Sequence, residues 1–265
     1  MHPFVLVNFE LVAIGFIIGG FVGISGVGGG SVMTPLLILV LRINPLVAVG
    51  TDLLYSVPTK ILGAVVHSRQ RTIDWAVVRA LLAGGIPGVI LGISLLFVLR
   101  YYFDFAHLTK LVREAVGFAL FVSAISLICS VVFKRVQTLP VHDADKPTPA
   151  IAKRLYFGGA IVGLFVALTS VGSGAMTLPF LLLIAPYVGI RRLIGSDIAF
   201  AALLIPLAAA GHWSLGDLNP PIALNLLIGS LPGVYVGSKL CKNLSEVWLR
   251  PAVAAVLVIA GSRLL

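Results

Sequence analysis

Apolar residues run along this chain in ten blocks, at about 4–25, 31–41, 45–66, 76–99 and 114–133, then 155–169, 175–189, 193–212, 221–241 and 247–262. Glycine, proline or charge separates each block from the next. Apolar blocks of this kind predict membrane helices, which need about 20 residues each to cross the hydrocarbon core. One sustained polar stretch, 134–154, holds Lys134, Arg135, Pro140, Lys153 and Arg154 and reads as a flexible aqueous linker. It divides the chain into a first unit, 1–133, and a second, 155–265, of one membrane domain.

Composition agrees with the pattern. The 265 residues are 59% hydrophobic and 11% charged, against about a quarter charged in a soluble domain, and the mean hydropathy is +1.09. A soluble enzyme fold is excluded, and roughly eight to ten membrane segments fit. Residues Met1 to Val12 carry no Lys or Arg before the apolar run and lead to no small-residue cleavage pattern, so they do not read as a cleavable signal peptide. The net charge of +9 lies in connecting loops without interleaved aromatics, which sets nucleic acid aside as a partner. Cys129 and Cys241 each stand without a second ligand at metal spacing, so no disulfide, metal or cofactor is indicated.

The two halves repeat one another. An offset of 144 pairs Gly28, Gly30 and Pro35 with Gly172, Gly174 and Pro179. An offset of 145 then pairs Gly50 with Gly195, Asp52 with Asp197, His67 with His212, Gly84 with Gly229, Pro87-Gly88 with Pro232-Gly233, and Gly92 with Gly237. Asp, His and Pro are rare enough in membrane segments to carry the register. With the central linker in the cytoplasm, Arg69, Arg71, Arg79, Arg191, Arg192, Lys239, Lys242 and Arg250 fall inside, against Arg42, Arg100, Lys110, Arg113 and Arg263 outside. Both termini are then outside. The 67–75 loop and its partner at His212 to Pro220 fall on opposite sides, so the repeats are expected to be inverted, five segments each, as in many secondary transporters.

The densest chemistry lies at Gly23 to Ser31, followed by Pro35, and at its partner Ala167 to Gly174, followed by Pro179. Clustered glycines interrupt a helix, and proline is tolerated in the first turn or so of the next one. Each half is therefore expected to hold a broken or re-entrant helix, with free N–H groups and a positive helix end near Ser31 or Ala175 facing a cavity. Ser25, Gly26, Gly28, Gly29, Gly30 and Ser31, with Ser170, Gly172, Ser173 and Gly174, then form an anion site without arginine, to which Thr169 adds a further hydroxyl. The plainer alternative is close helix packing through small residues, the natural reading of Gly15-Phe16-Ile17-Ile18-Gly19 and of Gly88 to Gly92.

These features resemble the TauE/SafE family of sulfite exporters and related permeases: Gly26-Val27-Gly28-Gly29-Gly30 with Pro35, then Gly50-Thr51, then the Gly84 to Gly92 pattern, with a degenerate copy in the second half. The resemblance covers nearly the whole chain. It implies transport of a small sulfur-containing anion, such as sulfite or a sulfonate, across the cytoplasmic membrane. Where the family commonly has Ser after the Thr of Gly50-Thr51, this chain has Asp52, and Asp197 follows Ser196 in the copy.

Asp52 and Asp197 are costly in lipid and should face the protein interior. Beside an anion they are expected to be protonated part of the time, which points to proton coupling. The alternative is structural, as helix caps or, for Asp197, pairing with Arg191 or Arg192. Lys60, whose counterpart is Ile205, either contacts the substrate or snorkels toward the cytoplasmic side, the latter slightly favoured. His67 and His212, at segment ends, read first as interfacial histidines and second as coupling or gating groups. Arg69, Arg71, Arg191 and Arg192 are topology signals that can also line a vestibule. Trp75, Trp213 and Trp248 mark segment ends.

The sequence thus predicts an all-helical membrane protein of two inverted repeats, acting as a secondary transporter with the small anion and the bilayer as its partners. An anion channel and a membrane-embedded sulfur-metabolism enzyme or assembly factor are the alternatives. A homodimer is compatible with a transporter of this size and required by no feature of the chain.

Overall fold

A computed structural model describes residues 7–25, 30–134, 147–172, 174–185, 187–240 and 246–265. Among these residues all regular structure is helical: α1 (Phe9–Ser25), α2 (Gly30–Leu39), α3 (Pro45–Arg69), α4 (Trp75–Tyr102), α5 (Phe105–Lys134), α6 (Pro149–Thr169), α7 (Thr177–Ile184), α8 (Ile190–Leu215), α9 (Pro220–Leu240) and α10 (Glu246–Leu264). Five of the described helices are long and apolar enough to cross a membrane by themselves: α4, α5, α6, α8 and α9.

Two helix starts differ most from the sequence expectation, each for a physical reason. Helix α5 starts at Phe105 rather than near 114 because Leu108, Val112, Val116 and Ala119 form a buried stripe at helical spacing. The charged face of the same turns, Lys110 and Arg113, is exposed and conceals that stripe from a hydropathy reading. Helix α6 starts at Pro149 with Thr148 as its N-cap residue, proline being preorganised for the first helical position. Lys153 and Arg154, assigned to the linker from sequence, are therefore exposed residues of α6.

Close contacts fix the helix directions. Gly15 faces Leu226 and Gly19 faces Ser230, so α1 and α9 run parallel. Gly159 faces Leu81 and Gly163 faces Gly85, so α6 and α4 do the same. Helices α3 and α8 run antiparallel at the centre, with Gly50 against Asp217, Gly63 against Ile198 and Gly195 against Thr72. Gly85 against Phe200 and Gly211 against Ile93 make α4 parallel to α8. The glycines permit these approaches: a Cβ on Gly84 would lie 1.8 Å from Tyr156 O, and one on Gly229 would lie 1.9 Å from Val12 O.

Because α4, α6 and α8 share one direction, the chain between α6 and α8 turns back toward the end where α6 began. Helix α7 has eight residues and spans about 12 Å, too short to cross a core of about 30 Å. Pro179 falls in its first turn, whereas Pro35 sits in the second turn of α2. Among the described residues the turn at 170–176 uses left-handed backbone at Ser170 (φ 57) and positive φ at Gly172 (145) and Gly174 (99).

Candidate functional site

Among the mostly apolar buried residues of helices α3 and α8 lies a cluster of polar ones. Asp52 and Asp197, on α3 and α8 respectively, are both buried. Thr34 Oγ1 on α2 donates to Asp52 Oδ2, and Ser56 Oγ, one turn along α3, donates to Oδ1 at 3.4 Å. The Ser170 hydroxyl, projecting from the end of α6, faces the same carboxylate. Thus a residue of the second half completes the surroundings of a carboxylate from the first.

Asp197 is built differently. The Gly174 backbone N–H lies within hydrogen-bonding reach, as does the Thr177 hydroxyl, which donates to Gly172 O at 3.1 Å. Yet Asp197 Oδ1 has no hydrogen-bond partner although the residue is only 4% exposed. A buried carboxylate oxygen without a partner is costly to maintain and marks the place where a further group fits.

Lys60 lies near both carboxylates. It is 9% exposed and acts electrostatically on both Asp52 and Asp197, while its ammonium is ion-paired with neither. Of the two readings of Lys60, its burial and its action on both carboxylates favour contact within the interior over snorkelling. The alternative pairing of Asp197 with Arg191 or Arg192 is likewise replaced by Gly174, Thr177 and Lys60.

The remaining sequence candidates divide. Ser31 is buried in the first turn of α2. Ser170, Gly172 and Gly174 form the turn that meets both carboxylates, and the Gly174 N–H expected to bind an anion is directed to Asp197 instead. Ser25 is the last residue of α1 and Gly30 the first of α2; Gly26, Gly28, Gly29 and Ser173 lie outside the described residues, as do Cys241 and linker residues 135–146. His67 is partly exposed near the end of α3, with Nδ1 2.8 Å from Thr72 Oγ1. His212 is not interfacial: it is fully buried, with Nε2 2.8 Å from Ala167 O. Thr34, Ser56 and Thr177 escaped the sequence reading, although Ser56 sits four residues after Asp52, the spacing that puts two side chains on one helix face.

The two ends of the α3–α8 pair differ. At one, His67, Gln70, Thr72, Arg191 and Ile194 line a cavity of about 500 Å³. At the other, Arg100 Nη1 donates to Leu215 O at 2.6 Å and lies 3.3 Å from Asp217 Oδ1. Among the described residues no group of His, Cys, Asp and Glu is placed to hold a metal.

Comparison with known proteins gives a consistent result. The family model described as sulfite exporter TauE/SafE matches residues 11–264. The chain is 34% identical over 262 residues to the Probable membrane transporter protein YjnA of Bacillus subtilis, covering 97% of this chain and 99% of that one. It is 27% identical to YdhB of the same organism, over 96% of this chain and 99% of the relative. It is 25% identical to MJ0441 of Methanocaldococcus jannaschii, over 95% and 92%. Both of these also carry the name Probable membrane transporter protein. No solved structure matches.

Proposed function

The chain belongs to the sulfite exporter TauE/SafE family and is a multi-pass membrane transporter, and we propose that its cargo is a small sulfur-containing anion, sulfite or a short sulfonate, bound between α3 and α8. One observation carries the reading: Lys60 is buried near Asp52 and Asp197 without an ion pair to either, beside the unpartnered Asp197 Oδ1. A buried cation without a contact-distance ion pair is a site for an anion when the carboxylates beside it carry their protons. Thr34 and Ser170 lie around the same centre and add hydroxyls. The sequence placed the anion on free N–H groups of two glycine-rich breaks; the centre of the site now moves to Lys60, with the 170–176 turn as one wall.

Two inverted repeats, 1–133 and 155–265, supply the frame for alternating access. Supporting this is the recurrence of each contact at the offsets of 144 and 145: Gly15 on Leu226 and Gly159 on Leu81, Gly229 on Val12 and Gly84 on Tyr156. Antiparallel packing of α3 on its own counterpart α8 supports the inversion. The basic loops put residues 67–79, 134–154 and 191–192 on the cytoplasmic side and both termini outside. Asp52 and Asp197, close to the bound anion, supply proton coupling.

The test is ligand-dependent thermal stabilisation of the purified protein in detergent, with sulfite, sulfate, thiosulfate, short sulfonates and carboxylate analogues. Binding to the native state alone raises its apparent stability by mass action. Stabilisation by one sulfur anion that disappears in Lys60→Met and survives in part in Lys60→Arg is the expected result. Stabilisation that is indifferent to Lys60, or absent for every anion at millimolar concentration, would overturn it.

A further inference from the structure

The cavity at one end of the α3–α8 pair has a counterpart at the other, residue for residue. At the offset of 145 the lining residues His67, Gln70 and Thr72 correspond to His212, Leu215 and Asp217, while Arg191 and Ile194 correspond to Leu46 and Val49. The first set surrounds about 500 Å³ of open space. Every member of the second is buried: His212 0%, Leu215 7%, Asp217 4%, Leu46 1% and Val49 0% exposed. A cavity of about 390 Å³ at that end, lined by Phe97, Arg100, Tyr101, Ser214 and Leu215, borders only Leu215 of the second set, so all five equivalent residues line an opening at one mouth and one of the five does at the other. Local chemistry accounts for the difference. Polar Gln70 and charged Arg191 stand at the open mouth where apolar Leu215 and Leu46 stand at the other. His67 turns to Thr72 near the surface, whereas His212 reaches across to Ala167 O.

Arg100 has no counterpart of its kind, since the position 145 residues later is Ser245. From the end of α4 its guanidinium donates to Leu215 O and contacts both Asp217 oxygens at 3.3 Å. It thereby ties α4 to the stretch where α8 ends and the loop to α9 begins. The Asp217 carbonyl is in turn packed on Gly50 at the start of α3, where a Cβ would lie 2.0 Å away. We infer that the structure is a state open at the His67–Arg191 mouth, and that Arg100, bridging Leu215 and Asp217, is the latch that holds the opposite mouth shut. Ile194, which lines the open mouth, precedes Asp197 by about one helical turn, and Arg191 gives the mouth a charge suited to an arriving anion. This inference rests on the proposed central site only in taking that site as the place to which the mouths give access.

The test is cysteine accessibility in reconstituted membranes, starting from a Cys129→Ser, Cys241→Ser background. Gln70→Cys and Leu215→Cys are introduced separately and labelled with a membrane-impermeant maleimide from each side. Gln70→Cys is expected to label readily from its side and Leu215→Cys slowly from the other. Arg100→Gln should raise the rate at Leu215→Cys roughly tenfold and lower that at Gln70→Cys, because releasing a latch shifts a two-state population in both places at once. Equal labelling at the two positions with Arg100 present overturns the inference. So does a change confined to Leu215→Cys, which would be local loosening. Should Arg100→Gln fail to fold, Asp217→Asn keeps the side-chain shape, weakens the same contact and gives the same readout. Reciprocal labelling in a protein whose anion binding ignores Lys60 would fail the central site and keep the latch. Binding that depends on Lys60 with labelling unmoved by Arg100 would do the reverse.

Discussion

The backbone N–H of Asn219 donates to the Thr51 hydroxyl at 3.1 Å, and 145 residues earlier in the chain the N–H of Asp74 donates to the Ser196 hydroxyl at 2.8 Å. Each acceptor belongs to the central α3–α8 pair and is fully buried. Each donor caps the next helix, Asp74 by accepting from Ala76 and Val77 N and Asn219 by accepting from Ile222 N. One hydroxyl therefore anchors a whole helix entry at each end of the molecule.

Thr51→Val should expose that dependence. The change keeps the shape and strands the Asn219 N–H, which costs about 1–3 kcal/mol for a buried donor. A lower midpoint of thermal unfolding in detergent is expected for Thr51→Val and a near-normal one for Thr51→Ser. Equal midpoints for the two variants would show that the N–H finds another partner.

The glycine contacts give a prediction with its own control. Gly84→Ala places a methyl against Tyr156 O, where helix backbones already touch, and overpacking of this kind costs about 1–3 kcal/mol. Gly20→Ala meets nothing closer than 3.8 Å and gains up to about 1 kcal/mol of helix propensity. Thermal midpoints moving in opposite directions are expected. A fall in both would mean that α1 packs more tightly on α9 than these distances show.

Sequence reading located the helices because apolar blocks and glycine or proline breaks are local properties. It failed at Phe105, where charged residues on one helix face hid an apolar stripe on the other, and at Pro149, where proline and the charged residues after it read as linker rather than as a first helical turn. Asp52 and Asp197 were legible because a carboxylate in an apolar block has few tolerable places. Lys60 was found with two readings open, since whether a lysine snorkels depends on what its neighbours offer. The neighbour that weighs most on it, Asp197, comes from the other half of the chain. The burial of His212 and the Arg100–Asp217 contact were not legible at all. Both depend on which mouth is closed, and that is a property of the conformation rather than of any stretch of residues.

The charge balance at the centre makes a coupling measurable. Lys60→Met removes the cation that acts on both buried carboxylates and should lower the thermal midpoint. Adding Asp197→Asn removes one of the charges, and the double variant should recover stability, with an interaction energy of about 0.5–3 kcal/mol in a double-mutant cycle. Its anion binding should remain lost. Strict additivity of the two changes would show that Lys60 and Asp197 do not sense one another and would remove the electrostatic basis of the site.

Asp52→Asn separates coupling from binding. The amide keeps the volume and a hydrogen-bonding oxygen for Thr34, Ser56 and Ser170, but it cannot take up and release a proton. If Asp52 couples anion movement to a proton gradient, proteoliposomes carrying the variant lose gradient-driven uptake of labelled sulfite by at least roughly tenfold, the scale of removing one essential proton-transfer group. Exchange of anion for anion across the same membrane needs no net proton transfer and should persist in part. Uphill uptake at the normal rate would exclude Asp52 from coupling. Loss of exchange together with uptake would make Asp52 a group that positions the anion. A wild-type flux indifferent to the gradient would remove the coupling altogether and leave a channel-like pathway through the same centre.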